Sequence, residues 1–377
     1  MKVSVRRCGG YDYGLVKKEI EACIKELGGL EAFVKPGETV LLKPNLLTKK
    51  RPEEAVTTHP VFVKAAVDIM ISSGARVIIG DSPGGPFNGA LMGTVYKSTG
   101  MAQIELETGA SLNKNFGVFS KNNPEGLIIK KPVLTDMLND VDKVVNLAKL
   151  KTHAMMAYTG AVKNLFGLVP GVAKLEYHLN ISDYDAFADA LIDISIAVKP
   201  VVSFIDGIVG MEGDGPAAGI PVNSGIILAS ACPYHLDASA CKIIGLTDRD
   251  VPILRRFAAR GMALSPEYTG ETPESLQLAP FVPASTKGVM NLASPGVPAT
   301  IKKFVARYVQ TRPIFDKKTC DGCGMCKDVC PAKIITIKDG LPDLDYRDCI
   351  RCYCCHELCP KKAVKIHRPL LSKFMRL

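Results

Sequence analysis

Eight cysteines near the C-terminal end stand at spacings that suit soft-metal chemistry. Cys320, Cys323, Cys326 and Cys330 form C-x-x-C-x-x-C-x-x-x-C before Pro331, and Cys349, Cys352, Cys355 and Cys359 repeat it before Pro360. Each cysteine of the first copy has its counterpart 29 positions later (349 − 320, 352 − 323, 355 − 326, 359 − 330). A compact iron–sulfur cube needs four thiolates. Three cysteines two residues apart let a short loop wrap three of its corners while backbone N–H groups turn toward the sulfurs. A zinc ribbon needs four ligands per ion and no third cysteine at this interval. Disulfides require an oxidising compartment, and nothing in the sequence suggests export. Cys354, between Cys352 and Cys355, is the surplus thiol and is expected to be a packed bystander.

The duplicated run resembles the bacterial-type ferredoxin with two [4Fe–4S] clusters, in which the fourth cysteine of each run serves the other cluster. That resemblance implies that Cys320, Cys323, Cys326 and Cys359 hold one cluster, and Cys349, Cys352, Cys355 and Cys330 the other. It also implies low potentials, because no histidine replaces a cysteine ligand. A β-branched run follows each C-P, at Ile334–Ile337 and Ala363–Ile366, and the two are expected to pair above the clusters. Asp339-Gly340 is a tight-turn dipeptide.

Charge separates this tail from the rest. The formal net charge is +9, yet residues 286–377 carry 18 Lys and Arg against 8 Asp and Glu. The first 285 residues are therefore near neutral. Anionic clusters would remove part of the tail's surplus, so nucleic-acid binding through a basic patch is not expected. Complementing the clusters, or steering an acidic redox partner protein, is the better account. With 47% apolar and 23% charged residues the composition is that of an ordinary globular protein. Met1–Arg7 lacks the apolar core of a signal peptide, and no apolar run approaches the ~18 residues that span a bilayer. A reducing cytoplasm, anaerobic or microaerobic, and no membrane partner are the expectation.

Strand-like and helix-like runs alternate through the first part of the chain. Strands are predicted at Lys2–Arg7, Thr39–Leu42, Arg76–Ile79, Val141–Leu150, Val201–Ile205 and Ile226–Ala229. Helices are predicted at Leu15–Leu27, Pro60–Ser73 and Tyr184–Val198. Near-continuous apolar strands between helices predict an α/β fold with a mainly parallel, helix-covered sheet, followed by a small C-terminal two-[4Fe–4S] ferredoxin-like domain. The divisions are an α/β domain at 1–285, a linker with a basic helix (Ala299–Gln310) at 286–313, and the cluster domain at 314–377. Residues 262–300 look irregular, and 100–140 favour neither helix nor strand.

Polar residues gather where these strands end: Lys43 and Asn45, Asp81 and Ser82, Lys151 and His153, Asp206, Asp237. Each alone reads as a turn residue or helix cap. As a set they point to one site, because strand carboxyl ends line the ligand crevice of open parallel sheets. Lys151–Pro170 is the densest stretch, with Lys151, His153, Lys163 and Asn164 among small and apolar residues and glycines that allow close approach. Such a setting suits a small anionic ligand. No G-x-G-x-x-G or P-loop is present.

The segments V-L-L-K-P-N-L-L (40–47), T-H-P (58–60), G-D-S-P-G-G (80–85), K-T-H (151–153), G-A-V-K-N-L-F-G (160–167) and D-G-I-V-G-M-E-G-D-G-P (206–216) carry a second resemblance. They look like the uncharacterised family called domain of unknown function three-six-two, whose members are often fused to a C-terminal ferredoxin module. That resemblance implies a common fold and site but supplies no reaction.

The reading from sequence is a cytoplasmic iron–sulfur oxidoreductase, relaying single electrons between a redox partner protein and an anionic ligand in the α/β domain. Lys151, His153 and Lys163 would hold or protonate the ligand, with Asp206 the fourth catalytic candidate. Lys43, Asn45, Asp81 and Asn164 would position the ligand, and Asp81 and Asp206 would orient the bases or bind a metal. A dedicated electron carrier whose large domain docks a client enzyme, and a non-redox enzyme with structural clusters, are the alternatives.

Overall fold

A computed structural model describes residues 1–262, 265–286 and 310–369. Its first strands are Lys2–Arg7 (β1), Thr39–Pro44 (β2), Arg76–Ile79 (β3) and the short Ser111–Leu112 (β4). Tyr13–Glu26 (α1) starts where the Asp12 carboxylate accepts from Leu15 N at 2.8 Å, and stops before Gly28 at φ +117°. Pro60–Ser72 (α2) has proline at its first position, where no N–H is needed. Gly89–Ser98 (α3) follows, and Met101–Glu107 (α4) begins the stretch that the sequence leaves open. Val118–Ser120 (β5) and Val133–Thr135 (β6) form a separate ribbon there.

The second half holds Lys143–His153 (β7), Ala157–Thr159 (β8), Val202–Glu212 (β9), Ile220–Ser230 (β10) and Glu267–Gly270 (β11). Between them lie Ala161–Asn164 (α5), Gly171–Asn180 (α6), Tyr184–Val198 (α7), Pro233–Ile243 (α8) and Pro252–Ala259 (α9), and Pro273–Leu276 (α10) follows β11. One sheet takes the order β11-β1-β10-β9-β7-β2-β3-β4, with β8 added to the end of β7. The run β9-β7-β2-β3-β4 is parallel, and β10 runs against both its neighbours.

Both faces are covered, which explains why the strands read as unbroken apolar runs. Leu41, Val144, Ala148, Leu150 and Ile205 pack with the side chains of α7 and α8. Val40, Leu42, Val145, Leu147 and Phe204 pack with those of α1 and α2 on the other face. After β2 the chain moves outward to β3 and β4, then returns to the opposite side of β2 with β7. The strand order therefore reverses between β2 and β7, and their carboxyl ends frame a crevice.

Two predicted readings change. β9 does not open after Ile205 but continues to Glu212 and returns as β10, because Asn223 and Ile226 sit at a bulge that lets the glycine-rich stretch stay paired. β11 gives residues 262–300 a short ordered strand, paired in parallel with β1 at the sheet edge. Of the linker with its basic helix, residues 287–309 lie outside the described residues.

The cluster module is built on Arg312–Phe315 (β12) paired with Val364–His367 (β15), and Ile335–Lys338 (β13) paired with Leu341–Leu344 (β14). The two β-branched runs thus take different partners rather than each other. Asp339 and Gly340 join β13 to β14 at φ 49° and 74°, both in the region a type I′ turn requires. Two one-turn helices follow cysteine loops, Met325–Asp328 (α11) and Cys354–Glu357 (α12). The module sits on the large domain. Tyr353 joins the main core, Tyr184 Oη donates to Arg351 O at 3.1 Å, and His356 Nε2 lies 3.0 Å from Asp214 O.

Candidate functional site: a cation-lined cavity under the cluster module

A cavity of about 80 Å³ opens at the reversal point, walled by the ends of β2 and β7, the loop after β3, α5, α6 and α12. Lys43, Asn45, Asp81, Lys151, His153, Lys163 and Asn164 all line it, as do Lys174, His178, Cys354 and Glu357. The predicted strand-end set therefore converges, apart from two aspartates described below.

Beneath the cavity lies a closed polar frame. Lys43 Nζ is fully buried, 2.7 Å from Asp81 Oδ1, and also donates to Pro44 O (2.8 Å) and Asn164 Oδ1 (3.2 Å). Asp81 accepts from Leu46 N at 2.7 Å and Ser82 N at 2.9 Å. Asn164 Nδ2 donates to Lys43 O (3.3 Å) and Asn146 Oδ1 (2.8 Å), and its Oδ1 takes the Asn45 amide at 3.0 Å. Burial pushes the Lys43 pKa down while Asp81 pulls it back. Gly167 is obligatory here, since a Cβ would lie 2.1 Å from Asp81 Oδ1 and 2.5 Å from Lys43 Nζ.

Above the frame, charge is open. Lys151 Nζ donates to Asn45 Oδ1 (3.0 Å) and Val56 O (2.7 Å), both neutral. Burial brings its pKa down to about 7, with Glu357 opposing and Lys163 adding to the fall. Lys174 donates to the Ser82 and Pro83 carbonyls and is likewise lowered to about 7, chiefly by burial. Lys163 lies 5.5 Å from the Phe166 ring and makes no hydrogen bond or ion pair with the described residues. Burial lowers its pKa too. His153 Nδ1 accepts from Met155 N at 3.0 Å, which assigns the proton to Nε2. That Nε2 is buried with no hydrogen-bond partner, and Glu357 Oε2 stands 3.8 Å away. Burial, then Lys163 and Lys151, hold the His153 pKa well below the usual range. Burial, then Lys163 and Lys174, push His178 down to about 3.

Asp206 is elsewhere. Because β9 runs on, it lies within the strand and receives Lys149 Nζ (2.7 Å), Tyr11 Oη (2.8 Å) and His59 N (3.0 Å). Tyr11 stacks on His59 with centroids 3.6 Å apart. Asp237 is also not at a strand end. It lies inside α8 and caps α5, accepting from Ala161 N (2.6 Å), Val162 N (2.9 Å) and Tyr158 Oη (3.0 Å). Burial raises its pKa to about 6, against those three donors.

Sequence reasoning missed Lys149, Lys174, His178 and Glu357. Lys174 and His178 stand four apart on α6, and that spacing was a usable signal. Glu357 was hidden by its cysteine neighbours. Cys354 is buried and packed as expected, but it also forms part of the cavity wall.

All thirteen cysteines of the chain, nine of them in the module, are free of disulfides. Cys320, Cys323, Cys326 and Cys359 surround one void, and Cys330, Cys349, Cys352 and Cys355 surround a second. Among the described residues no three His, Cys, Asp or Glu side chains converge on a point for a lone metal ion. Four thiols spaced around a void, drawn from both runs and backed by Ile335, Val364 and Phe315, fit a cube with the crossed ligation of two-cluster ferredoxins.

The profile named Domain of unknown function (DUF362) matches residues 40–242, more than half of the chain. The chain belongs to this family. A 4Fe-4S dicluster domain matches residues 312–360, so a ferredoxin-type [4Fe–4S] domain is fused C-terminally to the DUF362 domain. The thylakoid-associated protein sll1697 of Synechocystis sp. is 32% identical over 253 residues, covering 67% of this chain and 77% of that protein. The structure of lactate racemase apoprotein from Thermoanaerobacterium thermosaccharolyticum aligns with a TM-score of 0.38 at 14% identity. That alignment covers 65% of this chain, which spans 57% of the length of the racemase structure. No helix among the described residues is long and apolar enough to cross a membrane.

Proposed function

We propose that this DUF362 protein is an iron–sulfur oxidoreductase in which two [4Fe–4S] clusters serve an anionic ligand held in the cavity. The observation that carries this reading is the position of α12. Its Cys354 and Glu357 wall the cavity, while Cys352 and Cys355 beside them face the second cysteine-lined void. When bound, the clusters supply single electrons at low potential. The chain's own residues do the rest. Lys163 and Lys151 attract and hold the anion, and His153 Nε2–H offers it a hydrogen bond. Asn45 aims Lys151, and the Lys43–Asp81–Asn164 frame fixes Asn45. A lysine or histidine N–H at the ligand can also deliver the proton that follows an electron. Cys323 is exposed, so the void it borders is the one an external redox partner protein reaches.

Anaerobic isolation should give about eight iron and eight acid-labile sulfide per chain. Cys330→Ser should damage the cluster of the second run despite lying in the first, whereas Cys354→Ser should leave the iron count unchanged. The decisive measurement is electron paramagnetic resonance of the reduced protein, with and without small molecules released from the anaerobic preparation. A ligand that perturbs the cluster signal in wild type and not in Lys163→Met supports the reading. Zinc in place of iron, or a cluster signal indifferent to every released molecule, rejects it.

A further inference from the structure

We propose that the cavity is built for a compact dianion, an oxyanion of two negative charges and few heavy atoms, bound jointly by Lys151, Lys163, Lys174 and His153. The inference rests on the anion-site reading above and makes its ligand specific.

Hydrogen-bond capacity comes first. An ammonium has three N–H donors. Lys43 has given all three, to Pro44 O, Asn164 Oδ1 and Asp81 Oδ1, and has none for a ligand. Lys151 and Lys174 have each given two to neutral oxygens and retain one apiece. Lys163 retains all three, and His153 Nε2–H is buried and unpartnered. Those free donors belong to groups on β7, α5 and α6, on different sides of one small space. A neutral ligand would leave them poorly answered.

Charge fixes the sign and amount. Lys43 with Asp81, and Lys149 with Asp206, are closed pairs. What faces the cavity beyond them is three ammonium groups and the Glu357 carboxylate, a surplus of two positive charges. A monoanion leaves one of these uncompensated in an apolar setting, which is costly. A dianion leaves none. Size sets the last limit, because about 80 Å³ is well below the ~150 Å³ that houses a benzene ring. Sulfate, hydrogen phosphate and oxalate have the right charge and bulk, and a nucleotide does not fit.

A second property follows. In the empty cavity Lys151 and Lys174 titrate at about 7. Lys151 faces Glu357 from α12, Lys163 from α5, Asp81 from the loop after β3, and Lys149 of its own strand. Lys174 faces Asp81, Lys43, Lys163 and Glu357. An arriving anion favours the protonated forms and raises both values. Binding above pH 7 therefore takes up protons, and affinity falls as pH rises through that value. Well below pH 7 both groups are already charged and the uptake disappears.

The test is calorimetric titration of the anaerobically purified, cluster-loaded protein with sulfate, phosphate, oxalate, acetate and nitrate. It is run at pH 8 in two buffers of different ionisation enthalpy, and again at pH 6. Sulfate or oxalate, which stay dianionic across this range, is expected to bind at least about tenfold more tightly than acetate and nitrate, with proton uptake at pH 8 that vanishes at pH 6, whereas phosphate should release its own proton at pH 6. Lys163→Met should abolish that preference. Acetate or nitrate binding as tightly as the dianions, or dianion binding without uptake, overturns the dianion inference and leaves the anion site standing. No binding of any anion, in wild type or variant, overturns both.

Discussion

Lys149 and Lys151 stand two residues apart in β7, both almost fully buried, in surroundings of opposite character. Around Lys149 everything is answered: Asp206 balances its charge, and Tyr11 Oη lies 2.7 Å from Nζ. Around Lys151 the partners are an amide and a carbonyl, and Lys163 in the same cavity makes no hydrogen bond or ion pair with the described residues. Burial alone would class the two lysines together. What separates them is whether the protein itself completes the charge balance. A completed group is architecture, while an uncompleted one awaits something from outside.

The largest expected effect comes from breaking the completed side. Asp206→Asn leaves Lys149 buried without its counter-charge and should cost about 3–5 kcal/mol of stability, read by chemical denaturation of the cluster-loaded chain. Anion affinity of the folded protein should be unchanged. Loss of binding with stability intact would erase the distinction between the two groups.

A smaller effect separates them by pH. Burial depresses the Lys151 pKa to about 7, so between that value and its unfolded value the unfolded chain binds more protons. The ligand-free protein should then become more stable as pH rises from 7 to 9, by about 1 kcal/mol per unit from Lys151. Lys151→Met should reduce the slope by about half and leave the remainder to Lys174, which burial also brings down to about 7. Stability falling over that range in wild type, with no change in the variant, would contradict the assignment.

The smallest effect sharpens the open side. Lys163→Met removes a partly buried charge that no ion pair among the described residues balances, so thermal unfolding without ligand should be unchanged or shifted slightly upward. A loss of more than about 1 kcal/mol would mean that Lys163 is as structural as Lys149.

Much of this was legible in sequence for identifiable reasons. Strands covered on both faces announce themselves as apolar runs, and Lys2–Arg7, Arg76–Ile79 and Tyr184–Val198 match their elements end to end. Lys43, Asp81, Lys151 and His153 were found together because strand-end position is a local property, and Lys163 because it lies in the dense stretch that follows β7. Asp206 misled because its neighbours Gly207 and Gly210 read as a loop, whereas glycine in β9 serves close packing. A Cβ on Gly207 would lie 2.9 Å from Ile226 Cγ1. The pairing of the β-branched runs in the cluster module failed for a different reason. Partner choice between strands is a tertiary outcome that alternation does not encode. Lys174 and Glu357 reach the cavity only through docking of α6 and α12, which no local pattern reports.

The position of α12 also sets an order of events. Cys354, Glu357 and Leu358 lie between Cys352 and Cys359, and Leu358 is packed so tightly on Gly84 that a Cβ there would lie 2.7 Å from it. One side of the ligand chamber is therefore shaped by the residues that iron and sulfide must gather. On the proposed reading, that wall is set only when the cysteines on either side of it have gathered their clusters, so loss of the clusters would loosen the chamber as well. Cluster assembly and the shaping of the chamber would then be a single event, guarded by one helical turn.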